Sequence, residues 1–356
     1  MLKANPWLGG VLEKRGKGIG LVYDEIDINE LLFLNPDGLN IHSKLSYEEI
    51  TGLAEAYIVK TPKKMLNTQE KVCSLVLSKN SDHSFSMIFS VSHSVVDGHA
   101  YYQLLNMLSE DKEISSLSVK RKYETTTQIK NAVGRDTYDY FVGVAHVFNA
   151  LFGMAVAKRA KVFAYYLDKK KIADIKNAHN DFQSCEYLST NDILTSSYGV
   201  FTKVRLLLMA INFRGKLKIL NDKDAGNYEA VVLYDEKTYA KPSGIRQTLA
   251  TGEPYRGLVD KLPSFFEGIR CKMGLITNWS TFSKELCFTG CKEALHLPLN
   301  HACGKMPYEF AIVFRAKGTD IGVLYYTNRF GEEDFTSSDL PIKNCISKEI
   351  FSDHTL

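Results

Sequence analysis

The sequence predicts an α/β protein of two lobes. Its 356 residues exceed what one hydrophobic core usually serves, so two units of roughly 150 to 200 residues are expected. Segments with the two-residue period of strands alternate with segments that have the 3.6-residue period of helices. A hydrophobic fraction of 45% and a charged fraction of 24% are ordinary for a globular protein, which argues against disorder.

In the first lobe, residues 71–92 are predicted to form a β-hairpin, because two apolar runs flank a turn-rich stretch at 78–83. The second strand puts every other side chain on one apolar face, namely Phe85, Met87, Phe89 and Val91. A helix is expected after residue 98, since apolar residues recur at helical spacing at Tyr101, Leu104, Leu105 and Leu108. Residues 110–135 are interpreted as a polar connector.

Residues 140–157 are apolar nearly all round and are followed by Lys158, Arg159 and Lys161. The length is marginal for crossing a bilayer, and His146 and Asn149 in the middle would be costly in hydrocarbon. We interpret the segment as a helix buried between the lobes. Contact with a membrane interface or with a lipophilic substrate is the alternative.

The second lobe is expected to begin at residue 161, which divides the chain into 1–160 and 161–356. Asp168 is a suitable N-cap for a helix over 169–178, and Ser189 or Thr190 can start another helix with Asp192 in its first turn. The remaining apolar runs are predicted strands, at 162–167, 206–213, 229–233, 273–279, 310–314 and 322–326.

Composition excludes several kinds of partner. With a net charge of +3 and no basic face, no nucleic acid is predicted to bind. Seven cysteines without framework spacing, and an N-terminus without an apolar leader, favour the cytoplasm. No metal site is predicted either, because the zinc-type residues near the C-terminus lack the tight two-residue spacing of a zinc knuckle. Those residues are Cys287, Cys291, His296, His301 and Cys303.

One motif carries chemistry, the hexapeptide His93-Ser94-Val95-Val96-Asp97-Gly98 between the predicted strand and the predicted helix. Imidazole titrates near neutral pH and can take the proton of an attacking alcohol or amine. Because rigid elements on both sides would hold it, His93 is predicted to be a general base. No Gly-x-Ser-x-Gly elbow, dinucleotide-binding fingerprint or Walker loop accompanies it.

The hexapeptide and further motifs resemble, in order, those of the CoA-dependent acyltransferases, which include chloramphenicol acetyltransferase, BAHD acyltransferases and condensation domains. The resemblance covers about residues 70–330. It implies two chloramphenicol-acetyltransferase-like lobes, each a mixed β-sheet flanked by helices, with a channel between them. The further motifs are Lys161–Lys176, Ser189–Leu194, Asn212-Phe213-Arg214, Gly226-Asn227 and Ile276–Trp279.

Two departures mark the chain as a divergent member of this superfamily. Only 92 residues precede His93, fewer than in BAHD members, so a more open acceptor side is expected. The Asp-Phe-Gly-Trp-Gly signature of BAHD members is missing, and residues 286–290 are its poor counterpart.

The resemblance also implies roles for individual residues. Thr277 and Trp279, on one face of their strand, would donate hydrogen bonds to the oxyanion formed from the thioester carbonyl. Asp97 would pair with Arg214 and have a structural role; a plain helix N-cap is the alternative for Asp97. Gly98 would leave the cofactor channel and the turn into the helix uncrowded.

The predicted function is direct transfer of an acyl group from acyl-CoA to a small-molecule alcohol or amine. Acyl-CoA would be a co-substrate, no cofactor would be held permanently, and the enzyme would be a cytoplasmic monomer, with membrane contact through residues 140–157 left open. Three alternatives keep the fold. They are a condensation domain fed by a carrier protein, a membrane-associated lipid or wax ester synthase, and a non-catalytic binding protein.

Overall fold

The strands of the protein form three sheets of two, three and seven strands. The computed structural model describes all residues except 25–26, 37–38, 40, 42–44, 82, 159, 181–186, 251–254, 256, 258, 300–306 and 347–356. The strands are β1 Val11–Arg15, β2 Gly18–Val22, β3 Leu32–Leu34, β4 Cys73–Ser81, β5 Ser84–Val91, β6 Lys161–Leu167, β7 Leu206–Asn212, β8 Glu229–Tyr234, β9 Met273–Asn278, β10 Glu309–Lys317, β11 Asp320–Thr327 and β12 Ile342–Cys345. The α-helices are α1 Tyr47–Ala54, α2 Pro62–Met65, α3 Gly98–Asn106, α4 Thr125–Val133, α5 Arg135–Phe141, α6 Val144–Val156, α7 Lys169–Asn180, α8 Thr190–Thr202, α9 Glu236–Tyr239, α10 Pro242–Ala250, α11 Phe265–Ile269 and α12 Glu332–Thr336.

The small mixed sheet of the first half of the chain carries the hexapeptide. Strand β3 is parallel to β4, and β4 pairs with β5 in the predicted antiparallel hairpin. Residues 92–97 link the end of β5 to the start of α3, whose Leu104 and Leu105 are buried as their spacing predicts. The hexapeptide is therefore held between a strand and a helix.

The large sheet has the strand order β12-β6-β11-β10-β9-β7-β8. Strand β9 is parallel to both β7 and β10, whereas β8 is antiparallel to β7. The carboxyl ends of β7 and β9 therefore meet the amino end of β8 at one edge of the sheet. Side chains from three strands can converge there although they are far apart in sequence.

Helices flank the three-stranded sheet and the seven-stranded sheet, which confirms the predicted mixed α/β architecture. One face of the large sheet packs against α8, with Ile193 and Tyr198 buried. The other face packs against α1, where the hydroxyl groups of Tyr47 and Tyr326 lie 2.9 Å apart. Trp279 borders both this second core and the core around α3, so it lies where the two halves of the chain meet. The division at residues 160 and 161 stays a prediction.

Two sequence-based interpretations were wrong. The polar connector at 110–135 contains α4, because Ile129 and Val133 supply a buried stripe one helical turn apart. Residues 144–156 form α6, but this helix is exposed rather than buried between lobes. Its polar residues, His146 and Asn149, find partners inside the protein, and the apolar side chains are left on the outside.

His296 gives the fold a defined response to acid. Its Nε2 lies 3.0 Å from the hydroxyl of Tyr102, and the segment is fixed by the hydrogen bond from the His296 N–H to the Ala316 carbonyl. Burial, with a smaller contribution from the Arg315 cation, lowers the pKa of His296 from 6.5 to about 3. The imidazole is therefore neutral in the folded protein at neutral pH.

We expect the free energy of unfolding to fall as the pH drops from 6.5 towards 3. In that range the unfolded chain binds a proton at His296 and the folded chain does not, so acid favours unfolding by about 1.4 kcal/mol per pH unit. His296→Gln removes this contribution, and urea unfolding between pH 7 and 4.5 measures it. His83→Gln, at the exposed β4–β5 turn, is the control. Parallel pH profiles for wild type and His296→Gln would contradict the assignment.

Candidate active site

Asp97 links the start of α3 to the second half of the chain. Its Oδ1 accepts a hydrogen bond from the Ala100 N–H at 3.1 Å, which caps the helix. Its Oδ2 accepts hydrogen bonds from Arg214 Nη1 at 2.7 Å and from the Tyr228 N–H at 2.9 Å. The Asp97 and Arg214 side chains are 2% and 0% exposed. Asp97 is thus both a helix cap and the partner of a buried cation.

Arg214 donates further hydrogen bonds to neighbouring oxygen atoms. Its Nε donates to the Asp224 carbonyl and its Nη2 to the Gly226 carbonyl, both at 2.9 Å, while Nη1 also reaches Asn212 Oδ1 at 3.0 Å. Gly226 has φ +146° and leaves no room for a Cβ, which would lie 2.3 Å from the guanidinium of Arg121. The buried Arg214 guanidinium therefore links the end of β7, the turn before β8 and the hexapeptide.

The main chain of the hexapeptide is held by side chains from both halves of the chain. Asn227 Nδ2 donates to the His93 carbonyl at 2.8 Å, and Arg121 Nη2 donates to the Ser94 carbonyl at the same distance. The His93 side chain is 70% exposed, and its Nε2 lies 3.7 Å from Oε1 of Glu229. The backbone of His93 is thus anchored while its ring faces open space beside one carboxyl group.

A narrow crevice lies next to this carboxyl group, where β7, β8 and β9 meet the start of α3. Its volume is about 30 Å³. His93 does not line it, but Glu229 does, and Glu229 is the lining residue whose carboxyl group lies near the His93 ring. Its lining includes Gly98 and the polar and aromatic residues Asp97, His99, Asn212, Glu229, Thr277, Asn278, Trp279 and Phe282. A crevice of this size is too small to be the expected channel between the lobes, which stays a prediction.

Trp279 accounts for the narrowness. A Cβ built on Gly98 would lie 2.8 Å from the indole Nε1, so the indole takes the space beside Gly98 that the resemblance left to a cofactor. Thr277, Asn278 and Trp279 all line the crevice, and the side chain of Asn278 also donates to Asn191 Oδ1 on α8 at 3.0 Å. Thr277 and Trp279 thus belong to the same crevice.

Sequence reasoning missed two titratable residues of the crevice, Glu229 and His99. Burial, and next the negative charge of Asp97, raise the pKa of Glu229. Burial, and next the positive charge of Arg214, lower the pKa of His99. Glu229 pairs with Asn212 across β7 and β8, and only this register brings it to the site. The Gly226-Asn227 turn was the one signal in the sequence that pointed to this position.

Among the described residues, no group of three His, Cys, Asp or Glu side chains is arranged to hold a metal ion. Cys287 and Cys291 are exposed, and His296 is engaged with Tyr102. His301 and Cys303 lie outside the described residues.

Comparison with known proteins gives a fold and no sequence family. No protein-family model and no curated protein sequence matches the chain. Polyketide synthase associated protein 5 from Mycobacterium tuberculosis superposes with a TM-score of 0.54 at 12% identity, over 94% of this chain and 86% of that one. TRI101 from F. sporotrichioides, solved with coenzyme A and T-2, superposes with a TM-score of 0.54 at 15% identity, over 94% and 85%.

A third similar structure is the first condensation domain of the calcium-dependent antibiotic synthetase, in complex with a substrate analogue. It has a TM-score of 0.54 at 11% identity and covers 94% of this chain and 82% of that one. The chain has the two-lobed fold of CoA-dependent acyltransferases and condensation domains. Identities this low establish the acyltransferase fold alone, so the chemistry has to be argued from the residues of this chain.

In this fold, we expect the loss of either partner of the buried Asp97–Arg214 pair to be strongly destabilising. Arg214→Met leaves the Asp97 carboxylate buried without its cation and should lower the free energy of unfolding by about 3–5 kcal/mol. Urea unfolding at pH 7 measures the loss. Glu13→Gln, at the exposed Arg15–Glu13 pair, is the matched control and should cost less than about 1 kcal/mol. Equal losses in the two variants would contradict the assignment.

Proposed function

We propose that the protein transfers an acyl group from a CoA thioester to the hydroxyl group of a small-molecule acceptor, with His93 as general base. An amine is the second choice of acceptor. The observation that carries the proposal is an anchored imidazole beside Glu229, a residue of the crevice that Thr277 and Trp279 also line. The shared fold supports it, since TRI101 was solved with coenzyme A.

The proposed reaction needs one general base and one set of hydrogen-bond donors to the oxyanion. As the acceptor oxygen bonds to the thioester carbonyl carbon, His93 takes its proton, and the carbonyl oxygen becomes an oxyanion. The Thr277 hydroxyl and the Trp279 indole N–H would stabilise this oxyanion. When the intermediate collapses, the C–S bond breaks and the CoA thiolate takes the proton back from the imidazolium. Transfer is direct, with no acyl-enzyme.

The size of the crevice sets how the substrates lie. A volume of about 30 Å³ holds a group the size of one water molecule, which matches a carbonyl oxygen and not a pantetheine arm. The longer parts of the thioester would therefore lie along the open side beside the exposed ring of His93.

Glu229 would act on His93 and not on the substrate. Its carboxylate, 3.7 Å from Nε2, would stabilise the imidazolium that forms during proton transfer. This makes Glu229 a positioning and electrostatic partner of the base.

A second candidate is a condensation domain whose acyl group arrives on the pantetheine of a carrier protein. The similar condensation domain of the calcium-dependent antibiotic synthetase favours it. The two candidates share His93 and differ in the donor. A cytoplasmic location and a monomeric state remain predictions under either candidate.

Release of CoA from a panel of acyl-CoA thioesters, followed with a thiol-reactive dye and with or without added alcohols and amines, tests the proposal. His93→Ala should slow release by about a hundred- to ten-thousand-fold. His83→Ala, the exposed histidine of the β4–β5 turn, is the matched control and should keep the wild-type rate. Equal rates for wild type and His93→Ala would refute the proposal. Transfer from holo-carrier protein but from no free thioester would select the condensation domain.

The pH dependence of the rate tests Glu229. Above the raised pKa of Glu229 its carboxylate is ionised, and the wild type should be about tenfold faster than Glu229→Gln. Below that pKa the carboxyl is neutral like an amide, so the two rates should converge. A constant ratio of the two rates between pH 4.5 and 8.5 would show that the charge of Glu229 has no part in the reaction.

A further inference from the structure

An exposed apolar surface, here called the platform, lies away from the crevice and is formed by α6 and α11. The two helices pack closely, because a Cβ on Gly268 would lie 3.1 Å from the Cβ of Ala145. The large apolar side chains of the platform are 48 to 81% exposed. They are Val147, Phe148, Leu151, Phe152, Phe265 and Phe266. A contiguous apolar surface of this kind is uncommon on a protein that meets only water.

In α6 the polar side chains face the protein and the apolar side chains face outward, the reverse of the arrangement in a helix that faces water. His146 and Asn149, the polar residues of its middle turns, are buried. The hydroxyl of Tyr308 lies 3.0 Å from His146 Nε2, and Asn149 Nδ2 donates to the carbonyls of Ile269 and Cys271 at 2.8 and 3.0 Å. These hydrogen bonds fix the rotation of the helix, so its apolar side is kept outward by specific contacts.

The helix is arranged to lie on a bilayer and not to cross it. Residues 135–156 are long and apolar enough for a span by length and composition, since an 18-residue window within them has a mean hydropathy of 1.3 and is only 11% buried. However, Gly143 separates α5 from α6, and the 13 residues of α6 measure about 20 Å against about 30 Å of hydrocarbon. The inward hydrogen bonds of His146 and Asn149 also tie α6 to the rest of the protein.

The charged residues beside the platform indicate which kind of partner it binds. Exposed cations border it, namely Lys158 just after α6, and Arg270 and Lys272 just after α11. Glu267 is the one exposed acid within α11. These three cations outnumber the one acid, so a second copy of the chain would bring a surface of like net charge against the platform, which disfavours a symmetric dimer. Anionic headgroups would meet these cations while the phenylalanines enter the acyl boundary.

We propose that the platform binds the surface of an anionic lipid bilayer, with α6 in the plane of the interface. Asn149 contacts the main chain at Cys271, and Thr277 lies six residues further along at about 3.3 Å per residue. The crevice is therefore about 20 Å from the platform along β9. Binding would hold the protein at the membrane through a surface that does not include the crevice.

Co-sedimentation with vesicles tests the platform without any assay of catalysis. Wild-type protein should bind phosphatidylcholine vesicles containing phosphatidylserine, and bind pure phosphatidylcholine more weakly. Phe148→Ser with Phe152→Ser should weaken binding by about a hundredfold, about tenfold for each phenylalanine. Ile19→Ser with Tyr123→Ser, which removes exposed apolar residues elsewhere, should bind as the wild type does. Circular dichroism establishes that both variants are folded.

A tryptophan fluorescence measurement tests membrane binding by the platform without the serine variants. Phe148→Trp should be quenched by brominated lipids, whereas in the wild type Trp7 and Trp279, which lie away from the platform, should not be quenched. Absence of vesicle binding by the folded wild type would overturn the proposal. So would a wild-type dimer in analytical ultracentrifugation that Phe148→Ser with Phe152→Ser dissociates, because a second copy would then cover the platform.

Discussion

The site depends on a buried ion pair between residues far apart in sequence. Asp97 belongs to the small sheet's side of the molecule and Arg214 to the end of β7, and the pair joins them at 2.7 Å with almost no exposure. Because Arg214 also binds the carbonyls of Asp224 and Gly226, the hexapeptide cannot shift without leaving a charge unpaired. This makes the position of His93 a property of the whole fold.

At this site, the residues that hold the structure together differ from the residue proposed to transfer a proton. Asp97 and Arg214 are buried and use their hydrogen-bonding groups on each other and on the main chain, so neither is free to bind substrate. His93 has an anchored backbone and an exposed ring, as a proton-transfer group that meets outside molecules requires. Thr277, Trp279 and Glu229 come from strand ends that the order of the large sheet brings together. The fold's contribution is to bring these groups together at one edge.

Much of the fold was predictable because its signals are local. The alternation in β5, the apolar stripe of α3 and the caps before α7 and α8 each depend on a few neighbouring residues. The presence of Glu229 and His99 in the crevice was not predictable, because it follows from the pairing of β7 with β8 and from the contact of His99 Nδ1 with the side chain of Asn212. The exposure of α6 was missed for a similar reason: composition shows that a helix is apolar but not which side finds polar partners. Trp279 was expected to line the site, and that it fills the space beside Gly98 is a matter of packing.

The central claim is that an anchored His93 lets the acyl group pass directly from thioester to acceptor. Mass spectrometry of the protein and of the acceptor during a single turnover of an isotope-labelled acyl-CoA tests this most directly. The claim predicts that the label appears on the acceptor while the mass of the protein never changes, and that His93→Ala yields almost no labelled product. A protein that gains the mass of the acyl group before product appears, or a His93→Ala variant that forms product at the wild-type rate, would contradict it.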